Sequence, residues 1–217
     1  MAMELCLFDL DGTLLDTQAD YLATDRYMRS VYNLEPLPLE VSMRLASAGL
    51  RAVIEELFRF NHGQAPSEEL LEEAYKLNVE YYMAHIADHT RFYPGVETAL
   101  TELKARGKVL AVVSNKNAAA SEKLLKLKNL RHYFDLVAGD DENIPIKPAP
   151  DLLLKAMTTL GFPPEKTVMI GDNFTDMEAA RRAGTGSIFF SNGYGSLQEE
   201  KADITVDSME KLPDVII

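Results

Sequence analysis

The run Leu5-Cys6-Leu7-Phe8-Asp9-Leu10-Asp11-Gly12-Thr13 restricts the possible folds more than any other stretch of the chain. Leu5 to Phe8 are apolar on both faces, the pattern of a short strand buried inside a parallel sheet. A sheet interior does not tolerate carboxylates, so Asp9 and Asp11 mark the point where the strand leaves it. In open parallel α/β sheets this carboxyl edge is where ligands bind. Gly12 supplies a turn, and Thr13 sets a hydroxyl beside the two acids. Two ionised carboxylates this close need a cation or a shared proton between them. The run therefore predicts a divalent metal, two acids of unlike protonation, or both.

The rest of the chain has two textures. From about residue 16 to 90 it reads as helix throughout. Asp16 or Thr17 caps a first helix that runs to Val31 and breaks at Pro36-Leu37-Pro38. A short helical piece follows over Val41 to Ala46, and another carries Leu50, Val53, Ile54, Leu57 and Phe58. Ser67, with Glu68 and Glu69 in the first turn, opens a long amphipathic segment through Tyr82. From residue 93 the pattern becomes strand–helix–strand, with strands expected at Val109–Val113, Leu136–Val137, Thr167–Ile170 and Ser187–Phe190. Such alternation specifies a parallel sheet with helices on both faces. The organisation is an α/β core from residues 1–15 and 93–217, with residues 16–92 forming an all-helical cap inserted after the first strand. By its place in the chain the insertion is a lid, with hinges expected near Leu15-Asp16 and Thr90-Tyr93.

Other strand ends carry polar residues suited to one chemistry. The strand ending at Val113 leads into Ser114 and Asn115, a hydroxyl and a backbone amide that fit a phosphoryl oxygen. Lys147 sits in the loop after Ile146. The strand ending at Ile170 leads into Gly171-Asp172, with Asp176 four residues on. In a right-handed parallel sheet these ends share one edge. Four acids against one lysine would repel an anionic substrate, and a divalent cation removes the objection. An all-oxygen shell suits Mg²⁺ rather than zinc, which favours histidine or thiolate.

Composition excludes several classes of function. A net charge of −12 over 217 residues argues against a nucleic-acid partner, because phosphate backbones require a basic surface. The single cysteine, Cys6, rules out a disulfide framework and reads as an inert buried thiol. No apolar run approaches the length of a membrane span, so no membrane partner is expected. The first functional residue falls at position 9, which leaves no room for a removable leader, and a cytoplasmic setting is expected.

Asp9-x-Asp11-Gly12-Thr13-Leu14 after an apolar strand, then Ser114, Lys147-Pro148 and Gly171-Asp172-x-x-x-Asp176, resembles the haloacid dehalogenase superfamily. The likeness is to phosphoglycolate phosphatase-like members with a helical cap, and it spans the whole chain. The resemblance implies a Rossmann-like core and a Mg²⁺-dependent phosphatase acting on a small phosphorylated metabolite. It makes Asp9 the nucleophile that forms an aspartyl-phosphate. Asp11 becomes the acid and base, and Lys147 joins them in catalysis. Thr13, Ser114, Asn115 and Lys147 would bind the substrate. Asp9, Asp11 (through its carbonyl) and Asp172 would hold the metal, with Asp176 in support. Dehalogenases and phosphonate-cleaving members lack the acid at the place of Asp11; its presence here favours an alcohol leaving group. The alternative is a phosphosugar mutase similar to β-phosphoglucomutase, although Gly49-Leu50-Arg51-Ala52 lacks the cap serine such enzymes usually carry. A non-catalytic phosphoryl-binding module ranks third. A monomer or homodimer is expected.

Weaker signals have plainer readings. His85 and His89 lie four apart, yet they have no evident third ligand and read as cap residues. Arg44 and Arg51 read as solvated cap arginines, and Tyr81-Tyr82-Met83 as cap packing.

Overall fold

The computed structural model describes residues 3–38, 41, 45, 49–140 and 144–217. The chain divides into two compact units, one of Met1–Gln18 with His89–Ile217 and one of Ala19–Asp88.

The first unit is built on strand β1 (Leu5–Phe8), every residue of which is buried. A short strand β2 (Leu15–Asp16) leads out of this unit, whose sequence resumes after the helices of the second. Those are α1 (Gln18–Tyr32), α2 (Leu50–His62) and α3 (Glu68–His85). They bury a core of Met28, Ile54, Leu57, Phe58, Leu71 and Ala74, joined by Leu34 from the segment after α1, with Ile54, Leu57 and Phe58 at the i, i+3, i+4 spacing of an amphipathic helix. The Ser67 hydroxyl accepts the Leu70 amide at 3.2 Å and starts α3, as the sequence predicts. Val41 and Leu45 are helical, while the other residues from 42 to 48, Arg44 among them, lie outside the described residues.

Strand β3 (Arg91–Phe92) pairs antiparallel with β2, matching Leu15 with Phe92 and Asp16 with Arg91. The elements that follow are α4 (Val96–Ala105), β4 (Val109–Asn117), α5 (Ala118–Leu127) and β5 (Leu136–Asp140). Next come α6 (Asp151–Leu160), β6 (Thr167–Gly171), α7 (Phe174–Ala183), β7 (Gly186–Phe190), β8 (Ile204–Val206) and the short α8 (Leu212–Val215). The six-stranded sheet has the order β5-β4-β1-β6-β7-β8, with all pairings parallel. This is the α/β, Rossmann-like architecture expected. Leu5, Leu7, Ala111, Val113 and Met169 pack with Leu152, Leu153, Ala156 and Ala180 of the covering helices.

Register places the functional edge. Phe8 stands level with Val112 of β4 and with Ile170 of β6, so β1 and β6 run out together beside the middle of β4. The next residues are Asp9, Val113-Ser114 and Gly171-Asp172. Three features of the structure bear on the site. Strand β4 continues to Asn117, with its register to β5 irregular between Val113 and Asn117. The helix after it is capped by Asn117, whose side chain accepts from the Ala119 and Ala120 amides. The β2–β3 pair is a separate two-stranded ribbon joining residues 15–16 to 91–92, and the second compact unit runs over Ala19–Asp88.

Candidate active site

Asp9 follows β1 directly, and its amide donates to the Ile170 carbonyl at 2.9 Å. Its carboxylate faces Lys147, which is fully enclosed. The Lys147 ammonium donates to Asp9 Oδ1 at 2.9 Å, to Asp176 Oδ1 at 2.6 Å and to the Val113 carbonyl at 2.8 Å. Burial alone would lower the pKa of this lysine; the Asp176 and Asp9 charges hold it above the ordinary lysine value instead. Lys147 therefore remains a fixed cation.

Asp176 sits at the third helical position of α7 and is wholly buried. It completes a capping box: Asn173 caps the helix, and the Asp176 Oδ2 atom accepts the Asn173 amide at 3.0 Å. The same carboxylate thus fixes the helix start and anchors Lys147.

Asp172 accepts the Thr13 hydroxyl on Oδ1 at 3.1 Å and the Gly195 amide on Oδ2 at 2.7 Å. Burial, with the charges of Asp9 and Asp176, pushes its carboxyl up to about 7 despite those donors. Two glycines make room for it. A Cβ on Gly12, whose φ is +88°, would stand 2.3 Å from Asp172 Oδ2, and one on Gly193 would stand 2.3 Å from Asp172 Cβ.

Asp9, Asp172 and Asp176 offer oxygens that lie within 4.8 Å of one another, the one such acidic or histidine group among the described residues. These carboxylates fit a hard divalent cation. Their donors are all oxygen, their mutual repulsion raises Asp172, and a positive ion relieves it. Asp176 has Lys147 on one oxygen and the Asn173 amide on the other, which suits a supporting part.

The Asp11 side chain points elsewhere in the site. It accepts the Thr17 hydroxyl at 2.7 Å and the Lys116 ammonium on both oxygens, at 3.2 and 3.0 Å. Thr17 also meets the Tyr194 hydroxyl at 3.2 Å. Ser114 is buried, and its hydroxyl accepts the Lys116 amide at 3.3 Å. The Asn115 side chain is committed to the Lys147 backbone, so any contact with substrate falls to its own backbone amide.

Sequence reasoning missed Lys116, Thr17 and the Gly193-Tyr194-Gly195 loop. It counted one cation where the structure has two. Lys116 could have been found by alternation, since Ser114 and Lys116 lie two apart at the end of a strand. The glycine-flanked tyrosine carried no comparable signal. In the helical unit, Arg51 pairs with Glu68 and with Glu72, the latter at 2.8 Å. His85 bonds Asp88 at 2.7 Å. Tyr21 stacks on Tyr82 and Tyr27 on Tyr81.

A parallel sheet that delivers an aspartate, a second aspartate two residues on, a buried lysine and an acidic cluster to one edge defines a class. The chain belongs to the haloacid dehalogenase-like hydrolases, whose family profile matches residues 6–190. Within that family it is a phosphoric monoester hydrolase of the phosphoglycolate phosphatase-like type. It is 35% identical over 205 residues to the phosphoglycolate phosphatase of Aquifex aeolicus, covering 94% of this chain and 92% of that one. The Chromobacterium violaceum phosphoglycolate phosphatase is 36% identical over 214 residues, covering 96% and 94%. A crystal structure from Haemophilus somnus, described as a predicted phosphoglycolate phosphatase, shares the fold with a TM-score of 0.90 at 24% identity, over 99% of this chain and 98% of that one. Among the described residues no helix is long and apolar enough to cross a membrane.

Proposed function

We propose that this phosphatase is Mg²⁺-dependent and hydrolyses a small phosphomonoester through an aspartyl-phosphate on Asp9. The Asp9 carboxylate attacks phosphorus, and the ester oxygen departs with a proton from Asp11. Asp11 then takes a proton from water, whose attack on the acyl phosphate releases inorganic phosphate and restores Asp9. Lys147, Ser114, the Asn115 amide and Thr13 (which also donates to Asp172) bind the transferring oxygens, where charge stabilisation matters most. Asp9, Asp172 and the Asp11 carbonyl would hold Mg²⁺, which neutralises charge on the phosphoryl group when bound. Asp176 keeps Lys147 in place.

The observation that carries this reading is the meeting of Asp9, Lys147, Asp172 and Asp176 at the ends of adjacent strands, with ligand oxygens of the three acids within 4.8 Å. Two relatives are named for phosphoglycolate, which supports a small phosphorylated acid as the substrate class. The cap role of the inserted helices belongs to this proposal and rests on their place in the chain. A cytoplasmic setting agrees with the single buried thiol.

Asp9→Asn tests the nucleophile. With Mg²⁺ and p-nitrophenyl phosphate the variant should fold normally and lose essentially all turnover. Retention of substantial phosphate release would remove Asp9 from that role.

A further inference from the structure

Lys116 has no task in the chemistry just proposed, yet the fold goes to some length to place it. It lies on the irregular end of β4, where the register to β5 shifts between Val113 and Asn117. Such irregularities re-aim side chains beside active sites. Its side chain is 3% exposed, and its ammonium straddles both oxygens of Asp11. A buried ammonium is destabilising unless a partner makes up for its lost hydration. Orientation of Asp11 does not require this partner, because the Thr17 hydroxyl already holds Oδ1 at 2.7 Å.

The position of Lys116 relative to the reaction supplies the reason. To protonate the departing oxygen, Asp11 must come within about 2.6–3.2 Å of it. Lys116 Nζ, 3.0 Å from Asp11 Oδ2, then lies within about 6 Å of the ester oxygen. A carboxylate attached through one carbon to that oxygen falls within reach of the ammonium and can form a charge-assisted hydrogen bond with it.

Resting on the phosphatase reading above, the geometry points to Lys116 as the specificity-determining residue that recognises a carboxylate on the leaving group. The preferred substrates are accordingly phosphate esters of 2-hydroxy acids. In the free protein Asp11 balances the ammonium; in the complex the substrate carboxylate shares it. Lys147 grips the phosphoryl end and Lys116 the organic end, so two buried lysines measure the length of the substrate.

The test compares 2-phosphoglycolate with 2-hydroxyethyl phosphate, which carries CH₂OH in place of the carboxylate, using wild type, Lys116→Met and Lys116→Arg. Wild type should favour phosphoglycolate by about 30-fold or more in kcat/KM, a typical gain for one buried charge-assisted contact. Lys116→Met should shrink that preference to about 3-fold, chiefly through KM for phosphoglycolate, while Lys116→Arg keeps most of it. Equal losses on both esters would mean that Lys116 only positions Asp11, and would overturn the assignment while leaving the phosphatase reading intact. Wild type inert toward both esters and toward p-nitrophenyl phosphate overturns the phosphatase reading and this assignment together. If Lys116→Met does not fold, inhibition of the wild type decides: glycolate should inhibit p-nitrophenyl phosphate hydrolysis at about tenfold lower concentration than ethylene glycol. Similar inhibition by the two overturns the assignment.

Discussion

Asn115 and Lys147, thirty-two residues apart in sequence, hold each other by a two-point clamp: Asn115 Nδ2 donates to the Lys147 carbonyl at 2.8 Å, and the Lys147 amide donates to Asn115 Oδ1 at 2.8 Å. The side chain thus imitates one rung of a sheet, and fastens the lysine-bearing loop to the end of β4. Asn115→Asp keeps the acceptor and loses the donor, setting a carboxylate against the Lys147 carbonyl. We expect a loss of about 1–3 kcal/mol in urea unfolding. Because Lys147 loses its placement, kcat should fall as well; an unchanged kcat would separate the clamp from catalysis.

Lys147→Met leaves Asp9 and Asp176 facing each other without their shared cation. Removing one member of a buried ion pair costs about 3–5 kcal/mol, which should appear as an early midpoint in urea. Turnover should vanish in the fraction that remains folded. A stability near wild type would mean that the two acids protonate at little cost.

Gly193→Ala intrudes from behind on Asp172, the proposed metal ligand. The added methyl would stand 2.3 Å from Asp172 Cβ and 2.4 Å from the Gly12 carbonyl, so Asp172 must move. Disturbing the groups behind a metal ligand typically costs about 10- to 100-fold in metal affinity, and we expect the Mg²⁺ concentration for half-maximal activity to rise by about tenfold or more. A Mg²⁺ titration of phosphate release measures it, and an unshifted curve would count against Asp172 as ligand.

Asp11→Asn separates leaving groups. p-Nitrophenolate departs without a proton, whereas an alkoxide does not. The variant should lose far more activity on alkyl phosphates than on p-nitrophenyl phosphate, read as the ratio of kcat values. Equal losses would deny Asp11 its role as acid.

Cys6 lies wholly inside β1, and burial pushes its thiol up to about 12. Raising the pH from about 7 to about 9 therefore creates almost no thiolate in the folded protein. Ellman's reagent should label it only as fast as the protein unfolds, and labelling should track urea-induced unfolding. Rapid labelling of native protein would place the thiol at the surface.

The fold core and the carboxylates were legible in the sequence for one reason: a buried parallel strand has nowhere to put a charge. Asp9 and Asp172 therefore announced the ends of β1 and β6, and register did the rest. Lys116 carried only one weak signal, its spacing of two from Ser114, and the irregular register at that strand end obscured it. β2 and β3 have two residues each, too few to show a period. β8 has three, of which Val206 alone is buried. The approach of Gly193 and Gly195 to Asp172 joins residues that no local pattern connects. Asn115 was placed correctly at a strand end, but the partner of its side chain depended on a loop that the sequence alone does not fold.

The small ribbon in which Leu15 faces Phe92 and Asp16 faces Arg91 ties together the two points where the chain departs for, and returns from, residues 19–88. An insert whose ends are knotted to each other behaves as a cassette. Evolution or an engineer can exchange it for one of another length or composition without stretching any connection in the sheet.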